Sequence, residues 1–180
     1  MSEGIFAKNG ALLSLWNEHG PELAIREALA PAVIQEAISL GSMVLLGNPR
    51  HGGVRPCLVG QPASVKVNAN LGTSPLSSCI GTEKRKIEAA SRAGADTIMD
   101  LSIAGDLDAI RREMLGLWTR PLGTVPMYSV GQQLMDNGRD IADMRPDELF
   151  GEIAKQAEQG VDFVTVHCGL SRRGAELAVK

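Results

Sequence analysis

Aromatic residues are scarce in this sequence, and basic residues are not in excess. Phe, Trp and Tyr together make up 3% of the 180 residues, and the formal net charge is −3. Proteins that bind single-stranded nucleic acids stack bases on aromatic rings, and nucleic-acid binding in general depends on a basic surface. We therefore expect no nucleic-acid partner.

Long apolar runs are absent as well. No run approaches the roughly 20 residues that cross a bilayer. The first four residues, Met-Ser-Glu-Gly, lack the basic region and apolar core of a signal peptide. These features predict no membrane partner and a cytoplasmic location.

Cysteine is present three times but never in a closely spaced pair. Cys57, Cys79 and Cys168 are far apart and include no CxxC motif. An odd number without metal-ligand spacing indicates reduced thiols and no metal site. We expect Cys57 and Cys79 to be small buried side chains, whereas Cys168 follows an apolar segment.

What the sequence does contain is a series of short apolar segments that each end in a polar residue. They span 66–72, 97–102, 123–128 and 163–168. Helical patterns lie between the first and second segments and between the third and fourth. Parallel strands require such long connections, so the pattern predicts an α/β fold with buried parallel strands.

Polar residues at the carboxyl ends of these segments are the candidates for a site, because ligands bind at that end of parallel sheets. The residues are Asn70, Asp100, Ser102, Tyr128 and His167. Asp100 and Ser102 receive no catalytic role, since a buried carboxylate can simply accept from backbone amides, which would keep it ionised. His19 and His51 lie outside the pattern and receive no role.

Two regions are expected along the chain. Residues 1–62 form an amino-terminal cap of helices and a short hairpin, and residues 63–180 form the first four βα units of a (βα)8 TIM-like barrel, incomplete at the carboxyl end. Complete barrels of this kind need about 250 residues, and half a barrel exposes two strand edges. We expect a homodimer, a partner that completes the barrel, or a fragment of a longer protein.

Individual helices are predicted from caps and apolar spacing. Pro21 suits the start of a helix, and Pro31 should divide the following segment in two. The predicted elements are a hairpin of strands 43–46 and 57–59, helix 82–93 with its charged residues outward, a helix after Asp106, a long connection over 129–144 that could hold a short helix around 132–135, a helix over 146–160, and the start of a helix over 171–180.

The loop at 72–78 has two interpretations. Its glycine and hydroxyl residues could present amide and hydroxyl donors to a phosphate. It could equally be a plain connection that caps the next helix.

Taken together, Lys66-Val-Asn-Ala-Asn-Leu-Gly72 and the blocks at 94–102, 123–128 and 160–169 closely resemble the phosphomethylpyrimidine synthase family of thiamin biosynthesis. The same blocks fit the related 5-hydroxybenzimidazole synthases of anaerobic cobamide biosynthesis. The resemblance implies a radical S-adenosylmethionine carbon–carbon lyase with a 4Fe-4S cluster and an eight-stranded barrel. Its implied substrate is 5-aminoimidazole ribotide.

By this resemblance, the residues that match the family's ribotide-binding positions are Asn70, Met99, Tyr128 and His167. Asn70 has amide donors and an acceptor for the substrate, or it bonds loop backbone. Met99 packs on the imidazole ring or only fills the core. Tyr128 can donate to phosphate or ribose, and His167 can bind phosphate or relay a proton, although a buried structural histidine is the alternative.

The sequence also departs from the family. The cluster-binding cysteines and the metal-binding histidines of later strands are missing, so this chain alone should hold neither cofactor and be inactive. Three functions follow as hypotheses: the substrate-binding half of the pyrimidine-forming enzyme, the same half of the benzimidazole enzyme, or a non-catalytic ribotide-binding module.

Overall fold

A computed structural model describes residues 4–169 and 171–178 of the chain. In chain order its elements are α1 (Ile5–Lys8), α2 (Gly10–Glu27), α3 (Pro31–Leu40), β1 (Met43–Leu46), β2 (Cys57–Gly60), β3 (Asn68–Leu71), α4 (Ile80–Arg92), β4 (Thr97–Asp100), α5 (Leu107–Leu117), β5 (Leu122–Thr124), α6 (Pro126–Asp136), a 3-10 turn (Ile141–Asp143), α7 (Pro146–Gln159), β6 (Phe163–Val164) and α8 (Arg172–Ala178).

The larger sheet has four parallel strands in the order β3-β4-β5-β6. Helix α4 joins the first two strands, α5 joins the next two, and α6 and α7 join the last two. The predicted α/β class with parallel strands is therefore confirmed. The helix expected from residue 171 is present as α8, and residues 179–180 of that prediction lie outside the described residues.

One face of this sheet carries the main hydrophobic core. Ile98 on β4 and Leu122 on β5 are fully buried, and they belong to one cluster with Ile87 of α4 and Met114 of α5. Because side chains alternate along a strand, the opposite face carries the residues at the intervening positions. That second face is covered far less, and the candidate site lies on it.

The amino-terminal region has a core of its own. Helices α2 and α3 pack on the antiparallel hairpin of β1 and β2, as the pattern predicted. The expected helix start at Pro21 is wrong, because α2 begins at Gly10 and runs through Pro21. Its start is set by Asn9, whose side chain accepts from the Leu12 N–H at 3.0 Å.

Hydrogen bonds tie the loop after β1 to the end of α7. The backbone N–H of Asn48 donates to Asp162 Oδ1 at 2.7 Å, and His51 Nδ1 lies 2.7 Å from Asp162 Oδ2. His51 Nε2 lies 2.7 Å from the carbonyl oxygen of Trp118. His51, to which sequence analysis assigned no role, therefore holds the amino-terminal region against the sheet.

Across residues 4–169 and 171–178, no helix combines the length and the apolar character that a bilayer crossing requires.

Candidate functional site

The second face of the sheet brings two of the expected site residues side by side. Asn70 on β3 is in register with Met99 on β4, Met99 is in register with Gly123 on β5, and Gly123 with Phe163 on β6. Register partners in parallel strands present their side chains to the same face. This row therefore crosses the whole sheet close to its carboxyl edge.

Asn70 is exposed and has free donors. Its Oδ1 accepts from Asn68 Nδ2 at 2.8 Å, and Asn68 Oδ1 in turn accepts from Thr97 Oγ1 at 2.8 Å. The amide NH2 of Asn70 donates to no residue within the described ranges. The neighbouring side chains thus fix the acceptor end of Asn70 and leave its amide donors available for a ligand.

Met99 is half-buried at the middle of the row. Its sulfur accepts from Thr165 Oγ1 at 3.8 Å. The next position is Gly123, where an added Cβ would overlap the ring of Phe163. The ring of Phe163 therefore lies over Gly123, and Met99 and Phe163 form an apolar floor beside the amide of Asn70.

Tyr128 and His167 form the second pair of expected residues. Their ring centroids are 6.2 Å apart with an interplanar angle of 42°. Both side chains are exposed, and neither makes a hydrogen bond to the part of the chain that the structure describes. A phenol hydroxyl and an imidazole on neighbouring rings offer two donors to one anionic or hydroxylated group.

Tyr128 reaches this position in a different way from the one expected. Strand β5 ends at Thr124, and Pro126 begins α6, so Tyr128 lies in the first turn of a helix rather than at a strand end. The connection expected over 129–144 does contain a helix around residues 132–135, but this helix is longer than expected, since α6 runs from Pro126 to Asp136. Proline at the first helical position was the signal for this helix.

Asp100 and Ser102 support the edge of the sheet. Asp100 accepts from the Ser102 N–H at 2.9 Å, and Ser102 Oγ accepts from the Thr73 N–H at 3.1 Å. Burial is the largest influence on Asp100 and raises its pKa, although the bonds from Ser102 act in the opposite direction. The hydrogen bond from a backbone amide that the sequence suggested for Asp100 is therefore present.

The loop after β3 is held by a buried carboxylate that sequence analysis missed. Glu83 of α4 is fully buried, and its Oε2 accepts from the Gly72 N–H at 3.0 Å. Lys86 donates to the Gly72 carbonyl at 3.0 Å and to Glu83 Oε1 at 2.7 Å. The expectation that all charged residues of this helix face outward is therefore wrong. Glu83 faces inward and accepts a hydrogen bond from the Gly72 N–H at the end of β3.

The loop itself forms a tight turn. Backbone bonds join Ser74 and Ser77 in both directions, at 3.0 and 2.9 Å. Gly72 has a φ of 146°, and a Cβ there would lie 2.6 Å from the backbone of Leu101 and Ser102. Glycine is required at this position because the ends of β3 and β4 approach each other so closely.

The cysteines occupy three different environments. Cys57 is buried as expected, and burial raises its pKa to about 11. The expectation of burial is wrong for Cys79, which is exposed before α4, where the backbone N–H groups of Thr82 and Gly81 lower its pKa. Cys168 is exposed after β6. In the described ranges, no three His, Cys, Asp or Glu side chains converge as metal ligands.

Comparison with known proteins gives the family. Residues 9–180 match the model of the Radical SAM ThiC family. The chain belongs to this family. Among curated relatives named phosphomethylpyrimidine synthase, the protein of Geobacter metallireducens is 42% identical over 156 residues, which cover 86% of this chain and 36% of the relative. The protein of Pyrococcus furiosus is 38% identical over 170 residues, covering 94% and 39%.

A third relative, the phosphomethylpyrimidine synthase of Syntrophus aciditrophicus, is 40% identical over 149 residues, or 83% of this chain and 35% of the relative. The chain thus spans somewhat more than a third of the length of the curated relatives it matches. The ThiC blocks recognised in the sequence are confirmed as a family resemblance. The structure places Asn70 beside Met99 and Tyr128 beside His167, and their roles remain predictions.

Radical SAM enzymes combine S-adenosylmethionine with a four-iron cluster held by cysteine thiolates. The cysteines of this ThiC chain do not fit that group, because one is buried with a raised pKa and the other two follow different strands without converging.

Proposed function

We propose that this chain provides the ribotide-binding side of a phosphomethylpyrimidine synthase, a radical S-adenosylmethionine lyase that converts 5-aminoimidazole ribotide to hydroxymethylpyrimidine phosphate for thiamin. The observation that carries the proposal is the pairing of Tyr128 with His167. Their donors lie beyond the carboxyl ends of β5 and β6, the two strands that continue the Asn70–Met99 row.

Each residue has a physical role in this proposal. His167 and Tyr128 donate to the phosphate or ribose of the ribotide, because their donors are exposed and unpaired among the described residues. Asn70 donates its amide N–H groups to the substrate. Met99 and the ring of Phe163 supply an apolar surface on which the imidazole packs.

The four parallel strands would form half of a barrel. Among the described strands, β3 pairs only with β4 and β6 pairs only with β5, so both outer edges are open. In the proposal, further strands continue from these edges, contributed either by more of the same polypeptide or by a partner or second copy. Residues 1–62 act as a cap that is held against the segments preceding β5 and β6.

A non-catalytic ribotide-binding module is the second candidate. The observation that favours it is that Cys57, Cys79 and Cys168 do not fit a cluster site. In the lyase, by contrast, the cluster is held by cysteines outside this chain. About four irons per protein after oxygen-free purification from the source support the lyase, whereas ribotide binding without iron supports the module.

The test of the binding role is calorimetric titration of 5-aminoimidazole ribotide into the protein and its His167→Ala variant. A hydrogen bond to a charged group is worth about 1.5–3 kcal/mol, so the substitution should weaken binding by roughly 10- to 100-fold. Tyr128→Phe, which removes only the hydroxyl, should weaken it less.

The matched control is His19→Ala, since His19 lies on α2 beside Glu18 and outside the site. This variant should bind the ribotide with unchanged affinity. Unchanged affinity in His167→Ala, with circular dichroism showing that both variants are folded, would show that the assigned role of His167 is wrong.

A further inference from the structure

A second cavity lies away from the candidate ribotide site. It has a volume of about 350 Å³ and occupies the groove between α4 and α5, together with the segments around residues 55 and 119. Residues 118–120 lead into β5 and therefore lie at the amino-terminal edge of the parallel sheet. The ribotide candidates lie at the opposite, carboxyl-terminal edge.

Positive charge dominates the rim of this cavity. Its lining contains four cationic side chains and one carboxylate, namely Arg55, Lys84, Arg92, Arg120 and Glu88. Glu88 lies 3.9 Å from Arg92, and Lys84 pairs with Glu113 at 2.5 Å outside the lining. Arg55 and Arg120 belong to neither of these ion pairs.

Neither of these two arginines forms an ion pair with a carboxylate of the described residues, and both also line a neighbouring cavity that contains Glu22 and Asp96. The exposed Arg55 side chain makes no ion pair or hydrogen bond there, and only its backbone N–H is used, donating to the Thr119 carbonyl at 2.8 Å. Arg120 donates to the Ala95 carbonyl, and its guanidinium lies 5.6 Å from the ring centroid of Trp118. Both of these partners of Arg120 are uncharged.

The floor of the cavity is apolar. Ile87 of α4 is buried at 4% exposure, and Leu117 of α5 is 46% exposed. A ligand in this cavity can therefore bury the exposed apolar surface of Leu117. The cavity thus combines a cationic rim with a hydrophobic floor, and its volume lies within the range of small-molecule sites.

We propose that this cavity binds a small phosphorylated organic anion, independently of the ribotide site. The planar guanidinium groups of Arg55 and Arg120 suit the oxygens of a phosphate, while Ile87 and Leu117 contact the organic body. Arg55 lies in the loop between β1 and β2, and Arg120 lies just before β5. A bound phosphate therefore bridges the amino-terminal region and the sheet.

The probes are phenyl phosphate, inorganic phosphate and phenol. Each is titrated at constant ionic strength into the protein in the oligomeric state in which it is purified. Phenyl phosphate should bind at least 10-fold more tightly than inorganic phosphate, because it adds contact with the floor, and phenol should not bind measurably. Arg55→Gln should weaken phenyl phosphate binding by about 10-fold or more, the lower bound for a hydrogen bond to a charged group.

The matched control is Arg112→Gln, which removes an exposed arginine of α5 that does not line the cavity. It should leave the affinity unchanged. His167→Ala separates the two sites, since it should weaken the ribotide but not phenyl phosphate.

Two results would overturn the proposal. One is equal affinity for phenyl phosphate in Arg55→Gln and the unmodified protein. The other is loss of phenyl phosphate binding in His167→Ala alone, which would mean that the phosphate binds only at the ribotide site. Failure of the ribotide proposal would leave the Arg55 result intact, so the two proposals are tested separately.

Discussion

At the scale of single residues, His51 stands out because both of its ring nitrogens face acceptors. Nδ1 lies 2.7 Å from Asp162 Oδ2, and Nε2 lies 2.7 Å from the Trp118 carbonyl and 3.1 Å from that of Leu115. A neutral imidazole has only one N–H, so only the protonated ring can donate in both directions. The geometry therefore favours a buried imidazolium paired with Asp162.

The pH dependence of stability follows from this geometry. Burial alone would lower the pKa of His51, but the bond and charge of Asp162 and the two carbonyls outweigh it, and the pKa is raised. A raised pKa in the folded state stabilises the protein fully below the unfolded value of about 6.5. That contribution is lost as the pH rises through the folded-state pKa.

We expect His51→Gln to destabilise the protein by roughly 3 kcal/mol at pH 5.5, the order of magnitude for breaking a buried pair. The deficit should shrink as the pH is raised above the pKa of the folded state. Urea unfolding of both proteins between about pH 5.5 and 9 measures it. In an Asp162→Asn background, the difference in free energy of unfolding between the protein that retains His51 and its His51→Gln variant should lose most of its pH dependence. A destabilisation by His51→Gln that grows with pH would contradict the imidazolium assignment.

At the scale of elements, the pairing of β5 with β6 depends on the absence of a side chain at position 123. The ring of Phe163 occupies the space where a Cβ would lie. We expect Gly123→Ala to cost about 1–3 kcal/mol by overpacking and also to weaken ribotide binding, because the displaced ring belongs to the floor beside Met99. Urea unfolding and calorimetry measure the two effects.

The control for this substitution is another glycine. Gly116 lies on α5, and no atom lies within 4 Å of a Cβ added there. Gly116→Ala should therefore stabilise the protein by about 0.5–1 kcal/mol through helix propensity. If both substitutions had the same sign and size, the contact between Gly123 and Phe163 would not explain the result.

Strands and helices with a strong apolar pattern were predictable from the sequence. The segment that holds β4 ends in the polar residues expected, and α5 starts after Asp106, whose side chain accepts from the Ala109 N–H. Segments that are buried on one face have apolar residues at regular spacing in the sequence.

Other features depended on contacts between distant residues and left no local signal. Glu83 lies in a helix rich in charged residues, which is typical of a solvent-exposed helix. It is nevertheless buried, because the Gly72 N–H and the Lys86 ammonium group both donate to its carboxylate. His51 becomes structural only through Asp162, which lies 111 residues away. Tyr128 was misplaced because a short strand followed by proline resembles a longer apolar strand.

At the scale of the whole molecule, the open outer edges of β3 and β6 determine the expected assembly. Unpaired strand edges with an uncovered face favour association. We expect multi-angle light scattering to show a dimer or a larger species for the purified chain at micromolar concentration. A stable, non-aggregating monomer would contradict the proposal that further strands continue from these edges.

The contact between His51 and Asp162 also has a consequence for synthesis on the ribosome. The ring and its carboxylate are separated by 111 residues, and translation adds about 5–20 residues per second. Asp162 is therefore synthesised on the order of ten seconds after His51. During that time His51, in the loop between β1 and β2, has no carboxylate partner from this position. Docking of the amino-terminal region becomes possible only when the end of α7 has left the exit tunnel.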